Sequence, residues 1–214
     1  MARLTTKGLK RRPPTKKPRL RILIVCEGER TEVLYFGLFV RRLQASNVRL
    51  EIHGNQCGSD PQSVVEYARE LVTEDKGIDL CYCVIDRDLH PIGRFDTAIS
   101  IGAALDDRIG HKRIFDVVVS YPCIEYWFLL HFEYRRSPFT TEAGRSPAAC
   151  ALRDLKRFLP DYDKSCQQAI SSLMRLTETA LINADKSNAD AEKTGELNPS
   201  TGVPRLIRRV IAES

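Results

Sequence analysis

The sequence predicts an α/β fold in which a mainly parallel, Rossmann-like sheet is flanked by helices. Two observations support this prediction. Short apolar runs typical of buried strands occur four times, and a segment with helical character follows each of them. Because strands joined through helices pair in parallel, this alternation favours one sheet with helices on both faces. At 214 residues the chain is long enough for one such core with an extension.

The elements of the first half follow in order along the chain. The first strand is ILIVC at 22–26, whose unbroken apolar composition suits burial on both faces. A helical pattern at 31–44 and the alternating segment VRLEIH at 48–53 come next. A second helix is predicted over 59–77, with Asp60 as its N-cap.

The same alternation continues as far as residue 132. DLCYCVID at 79–86 predicts the third strand, and 94–109 predicts the third helix. IFDVVVS at 114–120 is the fourth strand, and the strongly apolar segment 121–132 is typical of a buried helix. Strand and helix have then alternated four times, as a parallel sheet requires.

Beyond about residue 139 the pattern becomes helical. Helices are predicted at 147–159, 165–184 and 203–213. The polar, glycine-bearing segment 183–202 predicts a long loop. The predicted organisation is therefore a disordered basic tail over 1–20, an α/β domain over 21–138 and a helical C-terminal extension over 139–214 that packs on it.

Positive charge is concentrated in the N-terminal tail. Residues 1–21 hold nine of the 33 Lys and Arg residues and none of the 28 Asp and Glu residues, so the rest of the chain carries a net charge of −4. We expect this tail to contact nucleic-acid phosphates, to contact an acidic partner or simply to be solvated. No apolar run approaches the ~20 residues of a membrane span, and no signal peptide is present, which favours a cytoplasmic protein without membrane contact.

The seven cysteines are scattered and lack the spacing of a zinc site. Cys81 and Cys83 lie two residues apart in a predicted strand, so they should share one of its faces. Buried thiols with a packing role are the expectation for both.

Carboxylates follow the ends of two predicted strands. Glu27 follows the first strand, and Asp86 and Asp88 lie at the end of the third, two residues apart and therefore on one side of an extended backbone. If these strands are neighbours, Glu27 faces the pair across about 5 Å. Such a cluster is costly unless a cation neutralises it, and oxygen-only ligands suit Mg²⁺ or Mn²⁺, which can polarise a phosphodiester and activate water.

A purely structural interpretation of the same acids also exists. Thr31 can act as the N-cap of the first helix, with Glu32 in its electropositive first turn, and we favour that role for Glu32. Asp86 and Asp88 can simply begin the loop after their strand. The sequence alone leaves both interpretations open.

Several other polar residues are candidates for contacts with a substrate. They are Arg30, Arg87, His90 and Glu125. The arginines flank the acids and can neutralise them or bind a phosphate, and His90 follows the aspartates directly. His131 is predicted to be a core histidine with a hydrogen bond rather than a proton shuttle.

Four blocks of the sequence resemble a known family. They are CEGERTE at 26–32, IDRDLH at 85–90, SYPCIEYWFLLHF at 120–132 and NPSTGVPRLI at 198–207. In this order they are similar to the RloB-like family, whose members are similar to the second component of AbiL-type phage-defence (abortive infection) systems, usually encoded beside an ATPase. The two strand ends also resemble the TOPRIM domain of topoisomerases, bacterial primases and OLD-family nucleases.

The resemblance implies a Mg²⁺-dependent nuclease that cleaves DNA or RNA, controlled by a partner ATPase. Glu27 matches the TOPRIM glutamate, a general acid or base, and Asp86 and Asp88 match the metal-holding pair. Two positions depart from the pattern, since Tyr121 stands where Asn is expected and Leu89 where a further acid often follows. The second departure favours the alternative of a non-catalytic docking or sensing subunit of an ATPase complex. Nucleotidyl transfer is a third alternative.

Overall fold

The structure of the protein is a computed structural model that describes residues 19–44, 47–54, 56, 58, 60–88, 90–109 and 114–214. All but the last two residues of the predicted basic tail lie outside these ranges, as does Leu89. Among the described residues, none of the helices combines the length and the apolar character that crossing a bilayer would need.

The strands are β1 (Leu20–Cys26), β2 (Val48–His53), β3 (Leu80–Asp86), β4 (Ile114–Tyr121) and β5 (Ser200–Thr201). The helices are α1 (Thr31–Leu43), α2 (Pro61–Glu74), α3 (Ile92–Ile109), α4 (Ile124–Leu129), α5 (Pro147–Leu155), α6 (Gln167–Leu173), α7 (Thr177–Thr194) and α8 (Val203–Ala212). A 3₁₀ turn at Met174–Leu176 joins α6 to α7.

The five strands form one sheet in the order β2-β1-β3-β4-β5. The first four are parallel, and the two-residue β5 pairs antiparallel with the end of β4, where Ser120 faces Thr201. The α/β prediction is therefore confirmed. β1 and β3 are direct neighbours, with Cys26 opposite Val84, so the two strand ends that carry acids lie side by side.

Alternate residues of the central strands enter two separate cores, one on each face of the sheet. Leu23, Cys81 and Cys83 face α2 and α3, so the two cysteines share a buried face as predicted. On the other face Ile24 and Val84 contribute to a larger core with α1, α4 and the helices of the C-terminal extension. That larger core is continuous across residue 139, because aromatic and aliphatic side chains from both predicted regions contribute to it.

The predicted loop at 183–202 is wrong over its first half, where α7 continues to Thr194 and ends at Gly195 with a φ of 73°. The buried positions of α7 are small residues at helical spacing, namely Ala180, Ala184, Ser187 and Ala191. A buried face made of alanine and serine gives almost no hydropathy signal, so the helix resembles a polar loop in sequence. α4 is also shorter than predicted, because β4 extends to Tyr121.

Candidate functional site

A pocket of about 340 Å³ opens at the carboxyl edge of β1 and β3 and is called here the acidic pocket. Its lining residues are Glu27, Gly28, Glu29, Arg30, Thr31, Glu32, Asp86, Ile124, Glu125 and Lys164. Five of the ten are acids and two are bases. Parallel sheets commonly place their ligand sites at this edge.

Glu27 directly follows β1 and is held by the neighbouring strand. Its amide donates to the carbonyl of Val84 at 3.0 Å, and its Oε2 accepts from the amide of Asp86 at 3.1 Å. Its Oε1 lies 2.7 Å from Nε2 of His90. Burial raises the pKa of the Glu27 carboxyl, against the opposing effects of the Asp86 amide and of His90. The carboxylate is thereby fixed in place, with the imidazole of His90 at one oxygen.

Asp86, the last residue of β3, carries a buried oxygen without a partner. Its Oδ1 is inaccessible and accepts no hydrogen bond in the part of the chain that the structure describes. Burial, together with the negative charges of Glu32, Glu125 and Glu27, holds the pKa of Asp86 well above its usual range. Buried carboxylate oxygens nearly always have a partner, so this atom marks a position where a ligand would be stabilising.

Glu32 belongs to the same pocket, a role that the sequence interpretation did not favour. It lies in the first turn of α1, is only 4% exposed, and its carboxylate lies over Gly28. A Cβ at Gly28 would come within 2.1 Å of its Oε2, so the glycine makes room for this side chain. Burial raises the pKa of Glu32 to about 7, and the negative charge of Glu125 adds to the effect. Its position in the first turn of the helix that follows Glu27 was the available signal.

The prediction that Thr31 caps α1 is wrong. The helix begins at Thr31, with Arg30 in the N-cap position and no side-chain cap. The Thr31 hydroxyl instead donates to the carbonyl of Lys164 at 3.2 Å, across 133 positions of the chain. Thr31 therefore ties the start of α1 to the C-terminal extension.

The C-terminal extension supplies one wall of the pocket. Glu125, in the first turn of α4, is buried and accepts a hydrogen bond from the Tyr162 hydroxyl at 3.2 Å. Lys164 lines the pocket two residues further on, and its positive charge acts to lower the pKa values of Asp86 and Glu32. Neither Tyr162 nor Lys164 was predicted, because both lie in a loop without a motif.

Asp88 does not line the acidic pocket. Its amide donates to the carbonyl of Pro122 at 2.8 Å, and its Oδ1 accepts from the amide of Ala148 at 3.3 Å, at the start of α5. The expected convergence with Asp86 assumed extended backbone, but β3 ends at Asp86 and Asp88 lies in a turn. Alternation of side chains no longer applies beyond the strand.

The remaining candidates divide between two locations. Arg30 lines the acidic pocket, and His90 contacts it through Glu27. Arg87 stacks instead against Phe95, with its guanidinium carbon 4.7 Å from the ring centre, while its Nη1 donates to the His90 carbonyl at 2.8 Å. His131 is a buried core residue as predicted, with Nδ1 3.0 Å from the carbonyl of Trp127, and burial lowers its pKa to about 4.

The pocket residues fit a divalent cation in chemistry, although they are not preassembled as its ligands. Within the described ranges, no group of three or more His, Cys, Asp or Glu side chains is close enough to hold a metal ion. Glu27, Glu32, Asp86 and Glu125 nevertheless provide only oxygen donors, which hard cations prefer. Three of the four have a raised pKa, and the Oδ1 of Asp86 lacks a partner. A positive charge here would offset the cost of their burial.

Comparison with known proteins gives one family match. The model of the family described as RloB-like protein matches residues 22–210, which is most of the chain. No curated protein and no solved structure matches the chain.

Proposed function

The chain belongs to the RloB-like family, and we propose that it is a Mg²⁺- or Mn²⁺-dependent nuclease that hydrolyses nucleic-acid phosphodiesters. One observation carries this proposal. Asp86, half-buried and with a buried, unpartnered oxygen, lies among Glu27, Glu32 and Glu125 in one pocket at the carboxyl edge of a parallel sheet. Unpaired buried acids are costly to a fold and are typical of sites whose ligand supplies the opposite charge.

Asp86 and Glu27 would hold the ion, with Glu32 or Glu125 as a third oxygen donor. The arrangement favours these residues over Asp88, whose Oδ1 already accepts from the amide of Ala148. A bound divalent cation would polarise the phosphodiester and activate the attacking water.

The chain itself would supply proton transfer and phosphate binding. His90 Nε2 and Glu27 Oε1 are 2.7 Å apart, so the ring N–H of His90 can hold the Glu27 carboxylate in place while that carboxylate accepts a proton from water. Lys164 and Arg30 line the same pocket and can attract the phosphate of a substrate. The Tyr162 hydroxyl orients Glu125 toward this centre.

Asp86→Asn and Glu27→Gln test the proposal, with Glu29→Gln as a matched control. Glu29 lines the same pocket but is exposed, and neither Asp86 nor Glu27 hydrogen-bonds to it. We expect the first two variants to lose about 10²–10⁴-fold in Mg²⁺-dependent cleavage of labelled DNA or RNA, and the control to retain it. Circular dichroism checks that each is folded. Wild-type rates in both Asp86→Asn and Glu27→Gln would refute the assignment.

The biological setting is part of the same proposal and rests on the resemblance to AbiL-type systems. We propose that the protein acts in the cytoplasm in phage defence, with an ATPase encoded nearby. Co-expression with that ATPase should restrict phage growth, and Asp86→Asn should abolish the restriction. Equal restriction by the wild type and by Asp86→Asn would exclude nuclease activity as its cause.

A non-catalytic docking or sensing subunit is the second candidate. Two of the three residues predicted to hold a metal already have protein partners, since Glu27 contacts His90 and Asp88 accepts from Ala148. Calorimetric titration with Mg²⁺ and Mn²⁺ separates the candidates. The nuclease should bind an ion and lose this binding in Asp86→Asn, whereas a docking subunit needs neither ion.

A further inference from the structure

A second pocket lies near the same edge of the sheet but against its other face. This pocket, called here the edge groove, has a volume of about 640 Å³. Residues that line it and carry the argument are Arg87, Phe95, Ile99, Tyr121, Leu197 and Arg205. Its floor includes Val117 and Val119, which pack with the core of α2 and α3 rather than with the core below the acidic pocket.

Arg87, Phe95 and Tyr121 form one wall of the edge groove. The guanidinium carbon of Arg87 lies 4.7 Å from the ring centre of Phe95 and 6.0 Å from that of Tyr121. Planar guanidinium groups and aromatic rings are the surfaces on which nucleobases stack, and such stacking tolerates any base.

The edge groove also has exposed apolar side chains. Four large hydrophobic side chains are exposed among the described residues, namely Ile99, Ile182, Leu197 and Ile211. Two of them, Ile99 at 36% and Leu197 at 56%, line the edge groove. A planar ring held against Arg87 would cover these side chains and remove apolar surface from water.

Arg87 also provides a site for a phosphate. Its Nη1 donates to the carbonyl of His90, whereas its other guanidinium nitrogens have no hydrogen-bond partner among the described residues. Arg205, on the other side, is already paired with Asp116 at 3.0 Å. Arg87 is therefore the cation available to an anionic ligand, and it follows Asp86 of the acidic pocket directly, with Cα atoms about 3.8 Å apart.

We propose that the edge groove binds a nucleotide, with the base stacked on the wall of Arg87 and the phosphate contacting its guanidinium. The nucleotide is either a free mononucleotide or one unit of a single strand that continues into the acidic pocket. The second source rests on the proposed nuclease function, and the first does not. A wall made of one guanidinium group and two aromatic rings favours a planar base over the aliphatic side chains of a protein partner.

The exposed hydrophobic residues offer matched variants for the test. Ile99→Ser and Leu197→Ser change the edge groove, whereas Ile182→Ser and Ile211→Ser remove side chains of similar exposure, 63% and 42%, that do not line it. Binding is measured by calorimetry for the four ribonucleoside monophosphates and by fluorescence anisotropy for labelled single-stranded DNA and RNA of about 12 nucleotides. EDTA prevents cleavage during both measurements.

We expect the two groove variants to bind about tenfold more weakly than the wild type, and the two controls to bind as the wild type does. Weaker binding of monophosphates identifies a free nucleotide. If the groove variants bind only the oligonucleotide more weakly, the ligand is a single strand. An oligonucleotide with one abasic position should then bind the wild type with the same reduced affinity. Equal affinity of groove and control variants for every ligand would overturn the proposal.

The same variants separate this proposal from the proposed function. Cleavage is measured in parallel with Mg²⁺ for the wild type and for Asp86→Asn. If the wild type cleaves and the groove variants bind normally, the groove proposal fails alone. If no cleavage occurs but nucleotide binding depends on Ile99 and Leu197, the nuclease assignment fails and the groove proposal holds.

Discussion

Two regions of the molecule bury carboxylates, one beside positively charged side chains and the other beside negatively charged ones. Asp154, in α5, is 4% exposed and forms ion pairs with Arg135 and with Arg153, whose Nε lies 2.9 Å away. Glu32 is equally buried, yet it shares its pocket with Asp86 and other acids, and Lys164 is the cation whose charge acts on both.

The difference shows where this fold compensates its buried charge and where it does not. Around Asp154 the protein's own arginine side chains supply the positive charge, so the negative charge is neutralised as the protein folds. In the acidic pocket burial, together with nearby negative charges, raises the pKa values of Glu27, Glu32 and Asp86. The first arrangement stabilises the fold, and the second is suited to a ligand that brings positive charge.

The same isosteric change at the two sites should have opposite effects on stability. Asp154→Asn should lower the free energy of unfolding by about 3 kcal/mol, because the half-buried Arg135 then loses the charge of its buried partner. Asp86→Asn, at pH 7 without divalent ions, should leave this free energy unchanged or raise it. Urea unfolding measures both. A large loss in Asp86→Asn would mean that its carboxylate has a stabilising partner after all.

The cost of burying Glu32 should appear as a pH dependence of stability. Its pKa is raised from 4.5 to about 7 in the folded state, so the folded protein binds more protons between these values and loses stability as the pH rises through them. Glu32→Gln should therefore exceed the wild type in free energy of unfolding by about 3 kcal/mol at pH 8.

At pH 4, where the wild-type carboxyl is protonated in both states, Glu32→Gln and the wild type should be equally stable. Thermal unfolding across this pH range is the measurement. A constant difference between the two proteins at every pH would contradict a raised pKa at this position.

His131 should produce the opposite slope, because its pKa is lowered from 6.5 to about 4 by burial. Between these values the unfolded chain binds a proton that the folded protein does not, so stability falls as the pH is lowered from 6.5 toward 4. The total loss should be about 3 kcal/mol. His131→Gln should remove this pH dependence and leave the one that Glu32 causes. If the variant lost as much stability as the wild type between pH 6.5 and pH 4, another group would be responsible for the loss.

Gly28→Ala should have the smallest effect on stability and a selective effect on the pocket. The new Cβ would collide with the end of the flexible Glu32 side chain, which can move at a cost of about 1 kcal/mol or less. We expect weaker Mg²⁺ binding by calorimetry with little change in unfolding. Gly93→Ala is the control, because a Cβ there meets no atom within 4 Å.

Local sequence patterns predicted the elements that depend on hydropathy or on a local hydrogen bond. The strand at 79–86 has the expected buried cysteines, and Asp60 caps α2 by accepting from the amide of Gln62. The second half of α7 was missed because its buried face is alanine and serine. Asp88 was misplaced because the alternation of a strand was extended into a turn.

By itself, the sequence determined the parallel α/β core, the family, and the presence of acids at the ends of two strands, since these depend on periodicity and on residues close together in the chain. Only the tertiary structure decided which acids share a pocket. Thr31 and Lys164 are 133 positions apart, and their contact, like that of Tyr162 with Glu125, exists because the C-terminal helices pack on the same face of the sheet as α1. Burial and unpaired charge are properties of that packing, and no local pattern encodes them.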